Sequence, residues 1–386
     1  MFFRRLLIAI LTILSVCMSQ AQERSILVNG RDTISYKFTP VVQPKNRNDK
    51  NFDVSFIAAP AYSTTIGLGV GVMASGLYRI DKQNLHLPPS TLSLFGRATL
   101  RGIYTVGVDG INIFKEHRNR LEYRATFASQ PIDFWGLGYD AAVNNTPVKY
   151  TSNRQQVELS FFHRIYKNLY IGARANFDYF YTKQSHIELI APLIRGGQST
   201  LLSTGISLMV EYDSRDFIPN PYRGLYLSAQ AMFRPKMLST AESNSWRLVG
   251  NIAYYQKLWK GSTLALDIYT QTNSKTTPWQ LYARLSERGR MRGYYEGRFM
   301  DLNVVTAQVE LRQKVWKWFG IAAWTGAGNC FDSWNSFNWS HTLPNYGIGL
   351  RWEFKNRINL RLDYGFGCRV NGRLVNGLQI ALNEAF

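Results

Sequence analysis

Residues 358–366 read INLRLDYGF, and this stretch decides the class of fold. Apolar or aromatic side chains occupy every second position, and polar side chains or glycine occupy the positions between them. Successive side chains of a β-strand point to opposite faces, so a period of two indicates a strand with one apolar and one polar face. The same period recurs in residues 173–181, 264–269 and 305–312. The chain is therefore predicted to be all-β.

The composition favours an outer-membrane β-barrel over a secreted β-sandwich. The 386 residues include 22 Tyr, 22 Phe, 10 Trp and 30 Gly. Aromatic residues crowd the predicted strand ends, as in the girdles at membrane interfaces. Beyond the N-terminal segment no apolar run reaches the roughly 18 residues of a transmembrane helix, so no such helix is predicted.

The lengths of the connections also indicate a barrel, because short periplasmic turns and long outer loops alternate in this class. Short connections are predicted near residues 115–119, 166–168, 257–262, 315–320 and 353–358, and long ones near 130–150, 183–200, 234–244, 276–302 and 332–345. The predicted strands start near Phe52, Thr65, Thr91, Ile103, Arg120, Asn153, Leu169, Leu201, Arg223, Trp246, Thr263, Asn303, Gly320, Tyr346, Arg357 and Val375. The predicted fold is a 16-stranded antiparallel transmembrane β-barrel, a size that fits strands of about ten residues plus connections.

The N-terminal residues predict export. Arg4 and Arg5 precede an apolar core at residues 6–16, which is too short to span a bilayer, and residues 19–21 fit a signal-peptidase cleavage pattern. A polar segment with two prolines follows and is predicted to be mostly disordered. The predicted domains are a signal peptide (1–21), a short periplasmic lead (22–50) and a barrel (51–386). The expected location is the outer membrane of a Gram-negative cell.

One polar run interrupts the strands. Residues 286–298 read SERGRMRGYYEGR, with four arginines and three glycines, and lie between the eleventh and twelfth predicted strands, in the sixth outer loop. Glycine lets the backbone pass close to other groups, and the arginine fork suits a buried carboxylate. We therefore predict that this loop folds into the barrel, anchored by Met291, Arg292, Gly293 and Tyr294. The alternative is an ordinary basic surface loop.

An arginine inside the barrel needs a carboxylate, because an unpaired buried charge is costly. Glu310 is the first candidate partner for Arg292, since it lies on the charged face of the twelfth strand. Asp363 and Glu353 are the further candidates. The alternative is that Arg292 meets only water in a wide lumen.

Sixteen strands with an Arg-Gly-Tyr motif in the sixth outer loop resemble the BamA/TamA insertase and translocase superfamily, also called bacterial surface antigens. Residues 307–311 resemble the family's twelfth-strand segment with its glutamate, and the C-terminal Phe386 is similar to a barrel-insertion signal. The inner turn after the eighth strand resembles a family segment through Asp213, Arg215, Asp216, Pro219, Arg223 and Gly224.

The chain departs from the family pattern in two places. Residues 22–50 are too few for a periplasmic POTRA domain, so the expectation is a POTRA-less member without client capture by such domains. The family also has an aspartate in the thirteenth strand near the loop arginine, and here Gly326 occupies the acidic position.

The resemblance implies a role in the biogenesis or translocation of surface proteins or lipids. The first strand (52–60) and the last (375–386) would form a weak seam, in which Gly372 and Gly377 reduce pairing and Phe386 ends the strand. Such a seam could open sideways and template a client strand. Expected partners are outer-membrane lipid, lipopolysaccharide and a separate periplasmic or lipoprotein component. The alternatives are a passive channel or surface antigen without an assembly role, and an outer-membrane barrel enzyme.

No catalytic residue, metal site or cofactor is predicted, because the five histidines form no ligand-spaced pair and no Gly-x-Ser-x-Gly elbow occurs. The net charge of +19 fits lumen-facing arginines and basic turns, or contact with anionic lipid head groups. Nucleic acid is not an expected partner of an exported chain. The sequence leaves open whether Cys330 and Cys368 pair, which client is served and which oligomeric state forms.

These features predict an outer-membrane protein with a heat-modifiable barrel. It should fractionate with outer membranes and migrate faster on gels before boiling than after, since a closed barrel stays folded in cold detergent. Cell fractionation with paired boiled and unboiled samples measures both properties. A soluble periplasmic pool without a mobility shift would contradict the prediction.

Overall fold

A computed structural model describes residues 52–80, 89–183, 199–218, 220–355, 357–370 and 372–386. The predicted signal peptide (1–21), the predicted lead (22–50) and Pro219 of the inner turn lie outside the described residues. Sixteen strands form one closed antiparallel barrel, and two further strands form a small separate ribbon. The predicted 16-stranded barrel is confirmed.

The wall consists of β1 (Phe52–Ser63), β2 (Gly67–Tyr78), β3 (Ser90–Thr99), β4 (Tyr104–Ile113), β5 (Asn119–Phe134), β6 (Val148–Tyr166), β7 (Leu169–Lys183), β8 (Thr200–Asp213), β9 (Gly224–Arg234), β10 (Ser245–Lys257), β11 (Ser262–Asn273), β14 (Asn303–Trp316), β15 (Phe319–Phe331), β16 (Leu343–Lys355), β17 (Ile358–Val370) and β18 (Arg373–Leu382). The ribbon pairs β12 (Ala283–Arg284) with β13 (Met300–Asp301). One short α-helix, Tyr139–Asn144, and several single-turn 3₁₀-helices lie in connections. Among the described residues, no helix has the length and apolarity to cross a membrane.

Alternation along the strands separates the two faces of the wall. In β14, Glu310 and Arg312 are buried while Leu311 between them is exposed. Apolar side chains outside and polar side chains inside are typical of a transmembrane barrel. Trp316 and Trp318 are 63% and 55% exposed beside the β14–β15 turn, which fits an interfacial aromatic girdle.

Strand positions agree closely with the period-two pattern, and β7 and β14 begin at the predicted residues. The largest difference is in β6, which begins at Val148 and not at Asn153, because its ladder with β5 continues to the Phe134–Val148 pair. The extension alternates too, since Val148 and Tyr150 pack in one apolar cluster and Lys149 between them is exposed, but it is only a few residues long.

The ten connections predicted to be short or long have those lengths between the strand ends, but the alternation does not extend to the other connections of the barrel. On the side predicted to be outer, short connections join β1 to β2 at residues 64–66, β3 to β4 at residues 100–103, and β17, which ends at Val370, to β18, which begins at Arg373. Gly67, Gly102 and Gly372 have φ values of +70°, +77° and +76°, which allow such tight turns. The β8–β9 connection on the opposite side is long instead, at residues 214–223.

The ladder between the first and last strands is short. In the described chain it consists of two pairs, Tyr62–Ile380 and Ser63–Gln379, whereas β1 pairs with β2 along its whole length. The pairs lie just beyond the predicted segment 52–60. Continuing the register would set Pro60 opposite Leu382, the last residue of β18. Proline has no backbone N–H to donate and is typical of edge strands, so β1 resembles an edge on this side.

The predicted place of Phe386 in the seam is wrong. β18 ends at Leu382, and Asn383 turns the chain with a φ of +63°. Phe386 then packs against the cluster of Ala253, Tyr255 and Ala265, and its ring lies 5.5 Å from the Arg312 guanidinium. The turn follows from charge, because Glu384 reaches Arg351 at 2.8 Å inside the barrel.

Candidate functional site

The connection between β11 and β14, residues 274–302, is here called the sixth-loop segment. Its buried side chains contact wall residues that face the inside of the barrel. The β12–β13 ribbon pairs the first half of the segment with the second. The Leu285 N–H donates to the Phe299 carbonyl at 2.9 Å. Met291, Tyr294 and Phe299 form a common apolar cluster with Cys330 of the wall.

Arg292 lies between two carboxylates from different strands. Its Nη2 is 2.6 Å from Oε2 of Glu310, and its Nη1 donates to Oδ2 of Asp363 at 2.9 Å. The Arg292 side chain is 1% exposed, and both carboxylate side chains are fully buried. The guanidinium carbon lies 3.6 Å from the ring centre of Trp324. A planar cation suits this arrangement, because its fork binds two anions while its face stacks on an aromatic ring.

The Arg292 pair belongs to a larger network of buried charges. Arg312 contacts Glu310 at 2.7 Å, and Arg361 donates to Asp363 at 2.9 Å. Arg351 joins Asp363 to Glu384 of the C-terminal tail. The network therefore combines four arginines with three carboxylates: Arg292, Arg312, Arg351, Arg361, Glu310, Asp363 and Glu384. Glu384 and the wall arginines were not among the predicted site residues.

A second arginine anchors the same turn to another part of the wall. Arg290 donates to both carboxylate oxygens of Asp267 on β11, at 2.7 and 3.1 Å, and lies over the Tyr269 ring. Met291 between the two arginines is fully buried, with a φ of +47°. Sequence reasoning did not single out Arg290, although Asp267 lies on the charged face of a predicted strand.

Gly293 and Tyr294 fit against glycines of β17. A Cβ atom on Gly293 would lie 2.7 Å from the backbone carbon of Gly365, and one on Gly367 would overlap the Tyr294 ring. The Tyr294 hydroxyl donates to the Pro344 carbonyl at 2.6 Å and accepts from the Cys368 N–H at 2.8 Å. Burial raises the pKa of Tyr294 well above its ordinary value, which keeps the phenol protonated as a donor.

Neighbouring connections pack over the sixth-loop segment. Trp135 contacts Tyr295 edge-to-face with ring centres 5.2 Å apart, and Arg298 donates to the carbonyl of Ala142 at 3.1 Å. Tyr139 stacks on His341 at 4.1 Å, which joins the 135–147 and 332–342 connections. Three connections on this side thus form one contact region.

The Omp85 superfamily domain matches residues 99–386. The chain belongs to the Omp85 superfamily. Its members are outer-membrane barrels of Gram-negative bacteria that act as insertases or translocators. No curated protein sequence matches the chain.

Solved structures show the same fold. BamA from Haemophilus ducreyi lacking POTRA domains 1–3 gives a TM-score of 0.58 at 11% identity, over 86% of this chain and 70% of that one. CdiB from Escherichia coli gives 0.60 at 10% identity, over 86% and 63%. CdiB from Acinetobacter baumannii gives 0.55 at 14% identity, over 86% and 60%. The chain spans less than two thirds of either CdiB protein.

One predicted partner of Arg292 in this Omp85 barrel is wrong. Glu353 contacts Lys314 at 2.6 Å and accepts the backbone N–H of Arg357 at 3.1 Å. Asp363 lies opposite Gly349 on β16, four residues before Glu353. At about 3.3 Å per residue Glu353 is therefore roughly 13 Å further along the strand, beside the turn.

The structure also explains the glycine at the acidic position of the thirteenth wall strand, β15. A Cβ atom at Gly326 would lie 2.6 Å from the Ala307 carbonyl oxygen and 2.6 Å from the Gln308 Cβ, so a side chain would not fit. Asp363 of β17 supplies the second carboxylate for Arg292 instead.

The inner-turn residues of the Omp85 pattern form two local clusters. Arg215 binds both carboxylate oxygens of Asp213, at 3.1 and 2.9 Å. Asp216 accepts the backbone N–H of Arg223 at 3.3 Å. A Cβ atom on Gly224, whose φ is +120°, would overlap the Ser214 carbonyl oxygen. Arg357, which sequence reasoning missed, binds Asp216 at 2.9 Å and so links this turn to the β16–β17 turn.

Of the two predicted seam glycines, one lies against the sixth-loop segment. A Cβ atom at Gly377 would lie 3.2 Å from the Gly293 carbonyl oxygen, whereas one at Gly372 would meet no atom within 4 Å. The cysteines Cys330 and Cys368 are both free thiols. Within the described ranges, no group of three His, Cys, Asp or Glu side chains could hold a metal ion.

Arg292→Ala should undock the sixth-loop segment and leave the barrel folded. Removing one partner of a well-buried ion pair costs about 3–5 kcal/mol, which a single loop tolerates less well than a whole barrel. We expect a heat-modifiable barrel with raised conductance and a loop cleaved by external protease. Glu310→Ala should also undock the segment, because Arg292 loses one of its two carboxylates, and the double variant should be less than additive.

The matched control for this series is Arg234→Ala, which breaks another buried pair, with Asp178 at 2.8 Å. It should leave the sixth-loop segment protected. Equal protease sensitivity in Arg234→Ala and Arg292→Ala, or strictly additive effects of the Arg292 and Glu310 substitutions, would contradict the anchoring role.

Gly365→Ala should undock the segment by shape alone. The added methyl group would overlap the Arg292 carbonyl oxygen, while every charge in the network is kept. External proteolysis should then cleave the loop as it does in Arg292→Ala. Gly96→Ala is the control, because its methyl group would meet its nearest atom at an ordinary 3.5 Å. An uncleaved Gly365→Ala loop would show that close backbone approach is not required.

Proposed function

We propose that this Omp85 barrel inserts or translocates an extended client segment at the seam between β1 and β18. The observation that carries the proposal is the two-pair ladder, Tyr62–Ile380 and Ser63–Gln379. A backbone hydrogen bond contributes about 0.5–1.5 kcal/mol net, so parting two pairs costs only a few kcal/mol. Each neighbouring wall ladder is much longer, which makes the seam the weakest line in the barrel.

The short ladder leaves edges that a client strand could pair with. On the seam side, β1 has no β18 partner from Phe52 to Ala61 within the described residues. Unpaired edges recruit extended segments through main-chain hydrogen bonds. An Omp85 client with alternating apolar residues would match the alternating faces of β1, and this supports insertion of strand-forming clients.

The sixth-loop segment connects the buried charges to this seam. The Glu296 N–H donates to the Thr65 hydroxyl at 3.0 Å, in the turn that follows β1. Gly293 lies beside Gly377 of β18. The segment therefore touches both sides of the seam while Arg292 holds it to Glu310 and Asp363. In the proposed mechanism, undocking of the segment removes contacts that keep the seam closed.

We further propose that a separate periplasmic or lipoprotein partner delivers the client, and that the outer wall works in contact with outer-membrane lipid and lipopolysaccharide. The apolar exposed face of the wall supports the lipid contact.

A disulfide across the seam tests the proposal. Ser63→Cys/Gln379→Cys should cross-link under oxidation, because directly paired residues of an antiparallel ladder have Cα atoms about 4.5–5.5 Å apart. In cells that depend on the oxidised variant, the amounts of outer-membrane proteins and lipids should change as they do when the protein is depleted. Reduction of the disulfide should restore the normal amounts. The control is Ser75→Cys/Ser93→Cys, a pair in the continuous β2–β3 ladder whose hydroxyls are 2.9 Å apart.

If cells with the oxidised seam variant keep normal amounts of outer-membrane proteins and lipids, the lateral mechanism is refuted. If these amounts stay normal after depletion of the protein, the assembly role is refuted altogether. In that case open-channel conductance of the wild-type barrel would indicate a passive channel. Lipid or peptide turnover that one side-chain substitution abolishes would indicate an enzyme.

A further inference from the structure

The outer wall carries an apolar groove opposite the seam in the strand order. Its volume is about 580 Å³, which lies in the range of ligand pockets, and strands β8, β9 and β10 supply its lining. The groove opens on the lipid-facing side, since Leu208, Phe233 and Leu248 in its lining are 72%, 51% and 49% exposed.

The register of the three strands explains the shape of the groove. Ala231 pairs with Leu208 on one side and with Leu248 on the other, so a short side chain lies between two long ones. In the row nearer the 235–244 connection, Phe233 pairs with Trp246. The aromatic pair thus closes the groove at the end predicted to be outer, and aromatic rings prefer the membrane–water boundary.

Two lysines, Lys236 and Lys275, lie in the connections at this end of the groove. Lys236 is three residues beyond Phe233, and its backbone N–H donates to the Asn244 side chain at 2.7 Å. Lys275 is flanked by Ser274, whose hydroxyl accepts the Trp246 N–H at 3.1 Å, and by Thr276, whose hydroxyl donates to the Asn244 carbonyl at 2.7 Å.

Both lysines are exposed, and within the described ranges neither forms an ion pair with a carboxylate. Glu242 lies in the same connection as Lys236, but within the described ranges it forms no ion pair with either lysine. Met237 and Leu238 beside Lys236 are 85% and 45% exposed. Apolar side chains next to an unpaired cation favour a position at the lipid surface, where each amine attracts an anionic head group.

We propose that this groove binds one lipid A molecule of the outer leaflet. An acyl chain lies over Ala231 between Leu208 and Leu248, and the phosphates contact the ammonium groups of Lys236 and Lys275. The charge complementarity and the position of the groove at the outer end favour this occupant over an inner-leaflet lipid. The site rests on the proposed contact of the outer wall with lipopolysaccharide and names the lipid and the residues that bind it. It is separate from the seam, so a failed seam test would leave it standing.

Native mass spectrometry of the detergent-purified barrel tests the site with three added probes: hexa-acyl bisphosphorylated lipid A, phosphatidylglycerol and phosphatidylethanolamine. The wild type should retain one lipid A in preference to both phospholipids. Ala231→Phe fills the groove and should weaken lipid A binding about tenfold, because the acyl chain loses its apolar contacts between Leu208 and Leu248. Lys236→Ala/Lys275→Ala should weaken it by about tenfold or more, since both cations that attract the phosphates are removed.

The control is Ala323→Phe on β15, another exposed alanine whose strand neighbours are Leu311 and Ile348. It should bind lipid A as the wild type does. If Ala231→Phe does not fold, the double lysine variant alone tests the site, because its two substitutions are at exposed residues of connections and should not affect folding. Any of four results would overturn the proposal: an equal loss of lipid A binding in Ala323→Phe, unchanged lipid A binding in the lysine variant, equal retention of phosphatidylglycerol, or a second copy of the chain bound in place of lipid.

Discussion

The burial of Arg292 between Glu310 and Asp363 is the constraint on which the arrangement inside the barrel depends. A guanidinium that leaves water must recover its hydration energy from nearby anions, and an unpaired partner would cost several kcal/mol. The two carboxylates come from β14 and β17, and Arg312, Arg351 and Arg361 share them. Loop and wall are thereby coupled, because displacing one charge leaves several others without compensation.

Electrostatic attraction determines where the loop docks, and backbone shape determines how closely it approaches. Gly293 and Gly365 allow two main chains to touch, and Gly367 makes room for the Tyr294 ring. The ring then provides a hydroxyl that bridges Pro344 and Cys368 on neighbouring strands. A charge pair alone would tolerate many loop orientations, whereas these contacts select one of them.

The same network affects the seam from the other end of the chain. Glu384 enters the network through Arg351, and this contact draws the residues after Leu382 inward. Those residues are therefore not available to lengthen the ladder with β1, where Pro60 also lacks a backbone donor. The short seam thus has two local causes, a proline on one strand and a buried carboxylate just beyond the other.

The sequence by itself determined the strands and the character of the loop. Period-two alternation depends on neighbouring residues, so it located most strands to within a few positions, and the arginine–glycine run marked the loop that docks. It also proposed Glu310 and Asp363 as partners of Arg292, but it offered Glu353 on the same grounds. Only the tertiary structure decided among them, because Asp363 is 71 residues from Arg292 and its distance depends on the register of every strand between them. The tertiary structure likewise placed Phe386 and Glu384 inside the barrel and paired Arg290 with Asp267, since a charged side chain chooses its partner by position in space and not by separation along the chain.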